Sequence, residues 1–191
     1  MSRTSRLLSL VLRHDPARIG LSLAAGGWVE TKDLLKALAR HGRATSFEEL
    51  RAIVESDDKR RFTLSENGRR IRAAQGHSVA VDMGLEAVEP PETLFHGTAT
   101  AALDSIFREG LTPRSRTHVH LSIDVPTAIR VGGRHGRPIV LEVAAGRLHR
   151  SGAVFFRADN GVWLTGAVPP SALALAGAAA ETEPAPVPGP G

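Results

Sequence analysis

The chain has 191 residues, with 24 lysine and arginine residues against 20 aspartate and glutamate residues and a formal net charge of +4. This length allows one or two small domains and excludes a large multidomain enzyme, and the 42% apolar composition is that of a folded protein. The absence of cysteine excludes a disulfide framework, a thiolate metal centre and a cysteine nucleophile.

The apolar segments are short. None reaches the ~18–20 residues that span a bilayer, and the apolar run near the start is too short for the core of a signal peptide. We therefore expect a cytoplasmic protein that does not contact a membrane. We also expect a monomer.

The charge is uneven along the chain. Residues 1–82 contain 15 basic and 10 acidic residues, whereas residues 83–191 contain 9 and 10, and only three of the basic residues are lysines. Because the planar guanidinium group suits phosphate oxygens, the first part is a candidate for binding a phosphate-bearing partner. A GC-rich genome explains the arginine excess equally well, but it does not explain the asymmetry.

The first part of the chain has the pattern of three helices followed by a hairpin. Apolar residues at helical spacing over residues 7–12 predict the first helix, and Thr31 is expected to cap the second. Ser46 and Glu49 form a capping box before the third helix. Alternating residues on either side of the Asn67-Gly68 turn predict two paired strands. This order is typical of a winged helix over residues 1–82.

The second part is predicted to be rich in strands. The proline-containing residues 83–92 indicate a linker, residues 93–177 a second domain, and the Ala/Pro-rich residues 178–191 a disordered tail. One helix is expected between the first two strands, with Leu103, Ile106 and Phe107 facing inward and Gly110 past its end. Too few helices are available for a doubly wound sheet, so we predict an α+β protein with a mixed or mostly antiparallel sheet. Its strands are expected at five apolar runs, residues 94–96, 118–122, 139–143, 154–156 and 162–164.

Polar side chains recur on one predicted strand. In an extended strand His118, His120 and Ser122 point to the same face. They could form the wall of a ligand pocket, or a solvated strand face. Two histidines could also chelate a metal, but no acidic residue stands at a spacing that would complete the site.

Two glycine-containing segments have less specific patterns. Gly97 could let a ligand approach the backbone closely, and Thr98 could cap a following helix whose start binds a phosphate or a ribose. An ordinary strand-to-helix turn is the more common explanation of a tripeptide such as His96-Gly97-Thr98. The loop around Gly132-Gly133 lacks the phosphate-loop pattern and is predicted to be a flexible surface hairpin.

Basic residues are spread over separate segments of the first part. Arg13 and His14 close the first helix, Arg61 opens the hairpin, and Arg72 lies in its second strand. If such arginines converge, they bind a phosphate dianion through charge-assisted hydrogen bonds. A solvated basic wing is the alternative that the spacing leaves open.

Six sequence strings occur in one order along nearly the whole folded part. Together they resemble the NAD-dependent RNA 2′-phosphotransferase family of the KptA type over about residues 5–175. The strings are LSLVLRH at 8–14, KRRF at 59–62, IRAAQGHS at 71–78, LFHGT at 94–98, RTHVHLS at 116–122 and NGVWLT at 160–165.

This resemblance implies a winged-helix lobe joined to an ADP-ribosyltransferase-like lobe, with the active site between them. The family transfers an internal 2′-phosphate of RNA to NAD through an ADP-ribosylated RNA phosphate. Nicotinamide, RNA with a free 2′-hydroxyl and ADP-ribose 1″,2″-cyclic phosphate are released. No metal is implied.

The resemblance also implies roles for individual residues. Arg61 and Arg116 are expected to clamp the phosphate, with Arg13 and His14 contacting it and promoting transesterification. Residues implied to hold NAD are His96, Gly97, Thr98, His120, Ser122 and Asn160, whereas His118 is expected to be a structural or RNA-side neighbour. Arg72, His77 and Ser78 are secondary candidates for contacting the RNA or its phosphate.

Two rival functions remain open on the sequence. The protein could ADP-ribosylate a terminal phosphate of nucleic acid, or a protein, and would then leave a persistent adduct. Alternatively, it could be a winged-helix regulator that binds duplex DNA, although the acidic third helix, with Glu48, Glu49 and Glu55, argues against a basic recognition helix.

Overall fold

The computed structural model of the protein describes residues 3–79, 81–134 and 136–177. The predicted tail at residues 178–191 lies outside these residues. Within them, no helix combines the length and apolar character needed to cross a bilayer.

The N-terminal half packs three helices against a small antiparallel sheet. Its strands have the order β1-β3-β2, and its core is a cluster of buried apolar side chains that includes Leu8, Leu34, Leu38, Leu50 and Ile71. The elements are α1 (Arg3–Val11), β1 (Val29–Glu30), α2 (Thr31–Arg40), α3 (Phe47–Glu55), β2 (Phe62–Leu64) and β3 (Arg70–Ala73).

The capping box and the hairpin are confirmed, but the predicted Thr31 cap is wrong. The Ser46 hydroxyl accepts the Glu49 N–H at 3.1 Å, and the Glu49 carboxylate accepts the Ser46 N–H at 2.8 Å. Glu30 stands at the N-cap of α2 without a side-chain hydrogen bond. The Thr31 hydroxyl instead donates to the Gly68 carbonyl at 2.8 Å and ties the start of α2 to the hairpin turn.

The C-terminal half contains two three-stranded antiparallel sheets, in the orders β4-β6-β9 and β5-β8-β7. Reciprocal backbone hydrogen bonds between Phe95 and Ser122, at 2.9 and 2.7 Å, join them. This half has its own buried apolar cluster, and the α+β class is confirmed. The elements are β4 (Leu94–Ala99), α4 (Leu103–Glu109), β5 (Val119–Leu121), α5 (Val125–Gly132), β6 (Pro138–Val143), α6 (Ala145–Arg150), β7 (Phe155–Arg157), β8 (Trp163–Thr165) and β9 (Leu173–Leu175).

Helix α5 replaces part of the loop that was predicted around Gly132-Gly133. Asp124 caps it by accepting the Thr127 N–H at 2.7 Å. The helix lies so close to β4 that a Cβ atom on Gly97 would stand 1.7 Å from the Ala128 carbonyl oxygen. Glycine is therefore required at position 97 because α5 approaches the backbone closely there.

Two further expectations in this half are wrong. Thr98 lies inside β4 and does not cap a helix, because the residue at the N-cap of α4 is Ala102. Phe107 is 39% exposed, whereas Ile106 beside it is buried. The inward face of α4 therefore contains Ile106 and Leu103, as predicted, but not Phe107.

The segment predicted as a linker, residues 83–92, packs against both halves. Immediately before it, the Asp82 carbonyl accepts the Gly26 N–H at 2.7 Å. Met83 is buried beside Gly27. Further along, the Val88 N–H donates to the Phe155 carbonyl at 2.9 Å. The chain between the two apolar clusters is therefore held along its length.

Candidate active site

Three arginines from separate segments come together. Arg13 follows α1, Arg61 precedes β2 and Arg116 precedes β5. The Arg13 guanidinium donates through Nη2 to the Arg61 carbonyl at 3.4 Å. Burial, and then the positive charges of Arg61 and Arg116, lower the pKa of Arg13 to about 10. Both halves of the protein thus contribute positive charge to one small region.

Asp57 holds Arg61 in this region. Its carboxylate forms a largely buried ion pair with the Arg61 guanidinium and accepts the Arg61 backbone N–H at 2.6 Å. Between them Arg60 adopts a left-handed backbone with φ 43° in a tight turn. Sequence reasoning missed Asp57, and the available signal was a carboxylate four residues before a basic side chain.

His14 lies beside the arginines and contacts Ser78. Its Nδ1 is 2.9 Å from the Ser78 hydroxyl, and the Ser78 N–H donates to the Arg13 carbonyl at 3.0 Å. Partial burial, followed by the charges of Arg13 and Arg116, lowers the pKa of His14. A neutral imidazole at neutral pH is therefore favoured, and it can accept a proton.

His77 links the segments that carry Arg13 and Arg116. Its side chain is only 1% exposed, and its carbonyl accepts the Thr117 N–H at 3.1 Å. Burial, with a further contribution from the Arg13 charge, lowers the pKa of His77 to about 4. The ring is a neutral, buried part of the contact between the two halves.

His120 and His96 extend the site into the C-terminal half. Arg116 donates through Nη1 to His120 Nδ1 at 3.1 Å, and His96 Nδ1 donates to the His120 carbonyl at 3.1 Å. Burial, followed by the Arg116 charge, lowers the pKa of His120 to about 3. Within the described residues, His120 Nε2 and Arg13 Nε are buried without a hydrogen-bond partner. Such unpaired polar atoms are suited to a polar ligand.

The other predicted NAD contacts lie around this cluster. Ser122 stands at the junction of the two sheets, and Thr98 lies in β4 beneath α5. Asn160 accepts the Val162 N–H at 3.3 Å and donates through Nδ2 to the Lys59 carbonyl at 3.5 Å. It therefore reaches the turn that carries Arg61. His118 packs edge-on against Phe156 at 5.5 Å between ring centroids.

Arg72 does not join the arginine cluster. It donates through Nε and Nη2 to the carboxylate of Asp159 at 2.9 and 2.7 Å, and through Nη1 to the Gly26 carbonyl at 3.2 Å. Its guanidinium carbon also lies 4.6 Å from the centre of the Trp28 ring. Sequence reasoning missed Asp159 and Trp28 because nothing in their spacing indicates that they meet Arg72.

Within the described residues, no three His, Cys, Asp or Glu side chains lie close enough together to bind a metal ion. The surroundings of Arg13, Arg61 and Arg116 are instead basic and rich in neutral histidine. Such a site is suited to a phosphorylated, anionic substrate, because guanidinium groups bind phosphate oxygens strongly.

Comparison with known proteins identifies the class and then the family. Residues 1–167 match the family model described as "RNA 2'-phosphotransferase, Tpt1 / KptA family". A probable RNA 2′-phosphotransferase of Agrobacterium fabrum is 57% identical over 173 residues, which cover 91% of this chain and 93% of that protein. A probable RNA 2′-phosphotransferase of Streptomyces griseus is 53% identical over 180 residues, and one of Herpetosiphon aurantiacus is 51% identical over 173 residues. Each match covers 91% of this chain and 95% of the relative. The protein is a transferase, and it belongs to the RNA 2′-phosphotransferase family, as the six sequence strings predicted.

Proposed function

We propose that the protein removes an internal 2′-phosphate from RNA by transferring it to NAD, without a metal. The observation that carries this proposal is the meeting of Arg13 and Arg61, from the N-terminal half, with Arg116 from the C-terminal half. Family membership supports the reaction. The position of the three arginines between the two apolar clusters supports an active site in a cleft between the halves.

We further propose that the two halves are a winged-helix lobe at residues 1–82 and an ADP-ribosyltransferase-like lobe at residues 93–177. Three helices followed by a two-stranded wing support the first assignment. Two small antiparallel sheets with short helices between their strands support the second. The N-terminal lobe would bind the RNA, and the C-terminal lobe would bind NAD.

The arginines would hold the phosphate. Hydrogen bonds to charged groups contribute about 1.5–3 kcal/mol each. They strengthen further as negative charge grows on the phosphoryl oxygens in the transition state. Arg61 is suited to this task because Asp57 fixes its guanidinium group in advance, so little conformational freedom is lost when the phosphate binds.

His14 would move the proton. It lies within electrostatic reach of Arg13 and Arg116, and its lowered pKa favours the form that accepts a proton. Since Nδ1 faces the Ser78 hydroxyl, Nε2 remains for exchange with the substrate. The neighbouring arginines then disfavour the protonated ring, so it returns the proton readily.

NAD would bind along His96, Gly97, Thr98, His120, Ser122 and Asn160. The unpaired, buried His120 Nε2 offers a hydrogen bond to a polar group there, and its low pKa keeps that nitrogen uncharged. When bound, NAD supplies the ribose that accepts the phosphate and the nicotinamide that leaves. The residues of the chain orient that ribose beside the arginines.

The test is to incubate the protein with NAD and a short RNA carrying one internal 2′-phosphate, and to analyse the products by mass spectrometry. We expect nicotinamide, RNA with a free 2′-hydroxyl and ADP-ribose 1″,2″-cyclic phosphate. A persistent ADP-ribosyl adduct without the cyclic product would indicate an ADP-ribosyltransferase instead. Unchanged RNA would reject the proposal.

A further inference from the structure

We propose that Arg72 and Asp159 are positioning residues that clamp the two halves of the protein together and so set the spacing of the active-site arginines. This inference rests on the proposed function for its kinetic consequences. It gives Arg72 a role different from the phosphate contact that the sequence suggested.

The contact between the two side chains is a bidentate ion pair across the protein. Arg72 lies on β3 of the N-terminal half, whereas Asp159 lies between β7 and β8 of the C-terminal half. Both hydrogen bonds are short, and the side chains are 15% and 28% exposed. Because limited solvent access reduces screening, such a pair is stronger than an ion pair on an open surface.

The N-terminal half provides a rigid seat for the Arg72 guanidinium. The indole of Trp28 covers one face of it, and the Gly26 carbonyl accepts its remaining Nη1 hydrogen bond. Gly26 has φ 75°, and a Cβ atom there would stand 2.9 Å from Trp28 Cδ1. Backbone, indole and guanidinium are therefore packed closely, and the Arg72 fork is held in place before it meets Asp159.

Each guanidinium nitrogen of Arg72 already has an acceptor within the protein. A phosphate that approaches the Nε–Nη2 edge of Arg72 must displace Asp159, and one that approaches elsewhere on the guanidinium is repelled by the Asp159 carboxylate. By contrast, the Arg61 guanidinium pairs with Asp57 of its own half, through Nη1 alone among the described residues. Arg72 is thus suited to joining the halves and not to binding substrate.

The clamp acts on the loop that leads to Asn160. A tight turn over residues 158–161 is closed by hydrogen bonds from Ala158 N–H to the Val162 carbonyl and from Gly161 N–H to the Ala158 carbonyl. Within this turn Asp159 contacts Arg72, and Asn160 contacts the Lys59 carbonyl. The turn is therefore held to the N-terminal half at two adjacent residues, close to the segment that presents Arg61.

A clamp and a phosphate ligand have different kinetic signatures. Loss of a clamp lowers the population of the closed arrangement, which bound substrates can restore, so KM rises while kcat changes little. Loss of a ligand that acts on the developing charge lowers kcat. Moreover, a clamp requires both partners, so removing the second after the first has no further effect.

The experiment is a double-mutant cycle with Arg72→Gln, Asp159→Asn and the double variant. Steady-state rates are measured with NAD and an RNA carrying one internal 2′-phosphate. We expect each single variant to lower kcat/KM for the RNA about tenfold, with kcat within about twofold of the wild type, and the double variant to match the singles. If Arg72→Gln does not fold, Arg72→Lys, which keeps the charge but not the fork, takes its place.

Glu92 and Arg150 provide the matched control. They form another bidentate ion pair, with distances of 2.6 and 3.0 Å. Arg150 ends α6 and Glu92 lies just before β4, so this pair does not connect the two halves. The variants Glu92→Gln and Arg150→Gln are expected to leave kcat/KM within about twofold of the wild type. Additive losses in the Arg72 and Asp159 cycle, or a fall in kcat at constant KM, would overturn the clamp.

A second measurement needs neither NAD nor RNA. The chain has no cysteine, so spin labels can be attached only at the introduced pair Ala52→Cys and Ala167→Cys, two exposed positions in opposite halves. We expect Arg72→Gln to broaden the distance distribution between the labels. An unchanged distribution would overturn the clamp. If the wild-type protein forms no product, the proposed function is rejected. The distance measurement then still tests the clamp, because it does not depend on activity.

Discussion

At the scale of single residues, Arg116 is the most direct test of the proposed phosphate site. Unlike Arg61, whose removal would leave the buried Asp57 carboxylate without its ion-pair partner, Arg116 is exposed, so its loss should not disturb the fold. We expect Arg116→Ala to reduce turnover of the 2′-phosphorylated RNA by about 100-fold or more, because a charge-assisted contact to the developing charge is removed. Single-turnover rates with saturating NAD measure this.

The control for Arg116→Ala is Arg108→Ala, on α4, where the arginine pairs only with the adjacent, exposed Glu109. This variant should turn over RNA at the wild-type rate. Rates close to wild type in Arg116→Ala itself, or in Arg61→Ala, would contradict the site.

His77 makes stability depend on pH. In the unfolded chain a histidine takes up a proton near pH 6.5, whereas burial keeps the folded ring neutral down to about pH 4. Acidification through this window therefore favours the unfolded chain, which binds the proton first. Between pH 7 and 5 the free energy of unfolding should fall by about 2 kcal/mol through His77 alone.

Urea unfolding of the wild type and of His77→Gln at pH 7 and 5 checks this prediction. The titration of groups remote from His77 contributes equally to both proteins and cancels in the comparison. The variant should lose about 2 kcal/mol less than the wild type on acidification. Equal losses in the two proteins would mean that the folded His77 ring takes up its proton as readily as the unfolded one.

The sequence indicated which arginines to consider for the site, but it did not indicate their partners. Arg13, Arg61 and Arg116 could be proposed because they belong to strings of a recognisable pattern. Asp57 could have been found from its spacing to Arg61, but Asp159 stands 87 positions from Arg72. A pair so distant in sequence forms through the tertiary fold, and no local pattern carries that information.

At the scale of secondary-structure elements, Gly97 determines how α5 packs on β4. A methyl group at this position would overlap the Ala128 carbonyl, and neither backbone can move without breaking strand pairing or the helix. We expect Gly97→Ala to lower the free energy of unfolding by about 3 kcal/mol or more. Thermal and urea unfolding measure the loss.

Gly133→Ala is the matched control, one residue beyond the same helix. Its backbone is helical, with φ −61° and ψ −9°, and the nearest atom to an added Cβ is the Ile129 carbonyl oxygen at 3.4 Å. The change should alter stability by no more than about 0.5 kcal/mol. Similar losses in the two variants would show that α5 does not restrict position 97.

Elements with strong local signals were predicted, and those defined by packing were not. The capping box of α3 and the Asn67-Gly68 turn are local hydrogen-bonding patterns, and both stand where expected. Helix α5 also has a local signal, Asp124 before Pro126, but the two glycines at its end suggested a loop. Gly132 lies inside the helix, and glycine is needed there because a Cβ atom would stand 2.6 Å from the Thr98 carbonyl oxygen.

At the scale of the whole molecule, two apolar clusters are joined by polar contacts. The described residues contain two separate clusters of buried apolar side chains, one in each half of the chain. The structure also shows that the joint is made by Arg72 with Asp159, His77 with Thr117 and Lys59 with Asn160. The location of the arginines beside this joint could not be predicted, because it depends on how the two cores meet.

This arrangement predicts how the reaction responds to removal of divalent ions. A phosphoryl group that loses a bond builds negative charge, which many enzymes stabilise with a metal ion. Here Arg13, Arg61 and Arg116 place three guanidinium charges, supplied by both halves, around one region. Because these charges can take the place of the metal, turnover should be unchanged by EDTA and by added Mg²⁺.

The measurement compares initial rates of cyclic-phosphate formation in protein treated with EDTA and in the same protein after Mg²⁺, Mn²⁺ or Zn²⁺ is restored. The arginine site requires equal rates in all of these samples. Activity that EDTA abolishes and one of these ions recovers would mean that guanidinium charge alone is insufficient. The variant Arg116→Ala sharpens the test. Added Mg²⁺ should not restore its rate, because the missing positive charge is needed at the position of the guanidinium group.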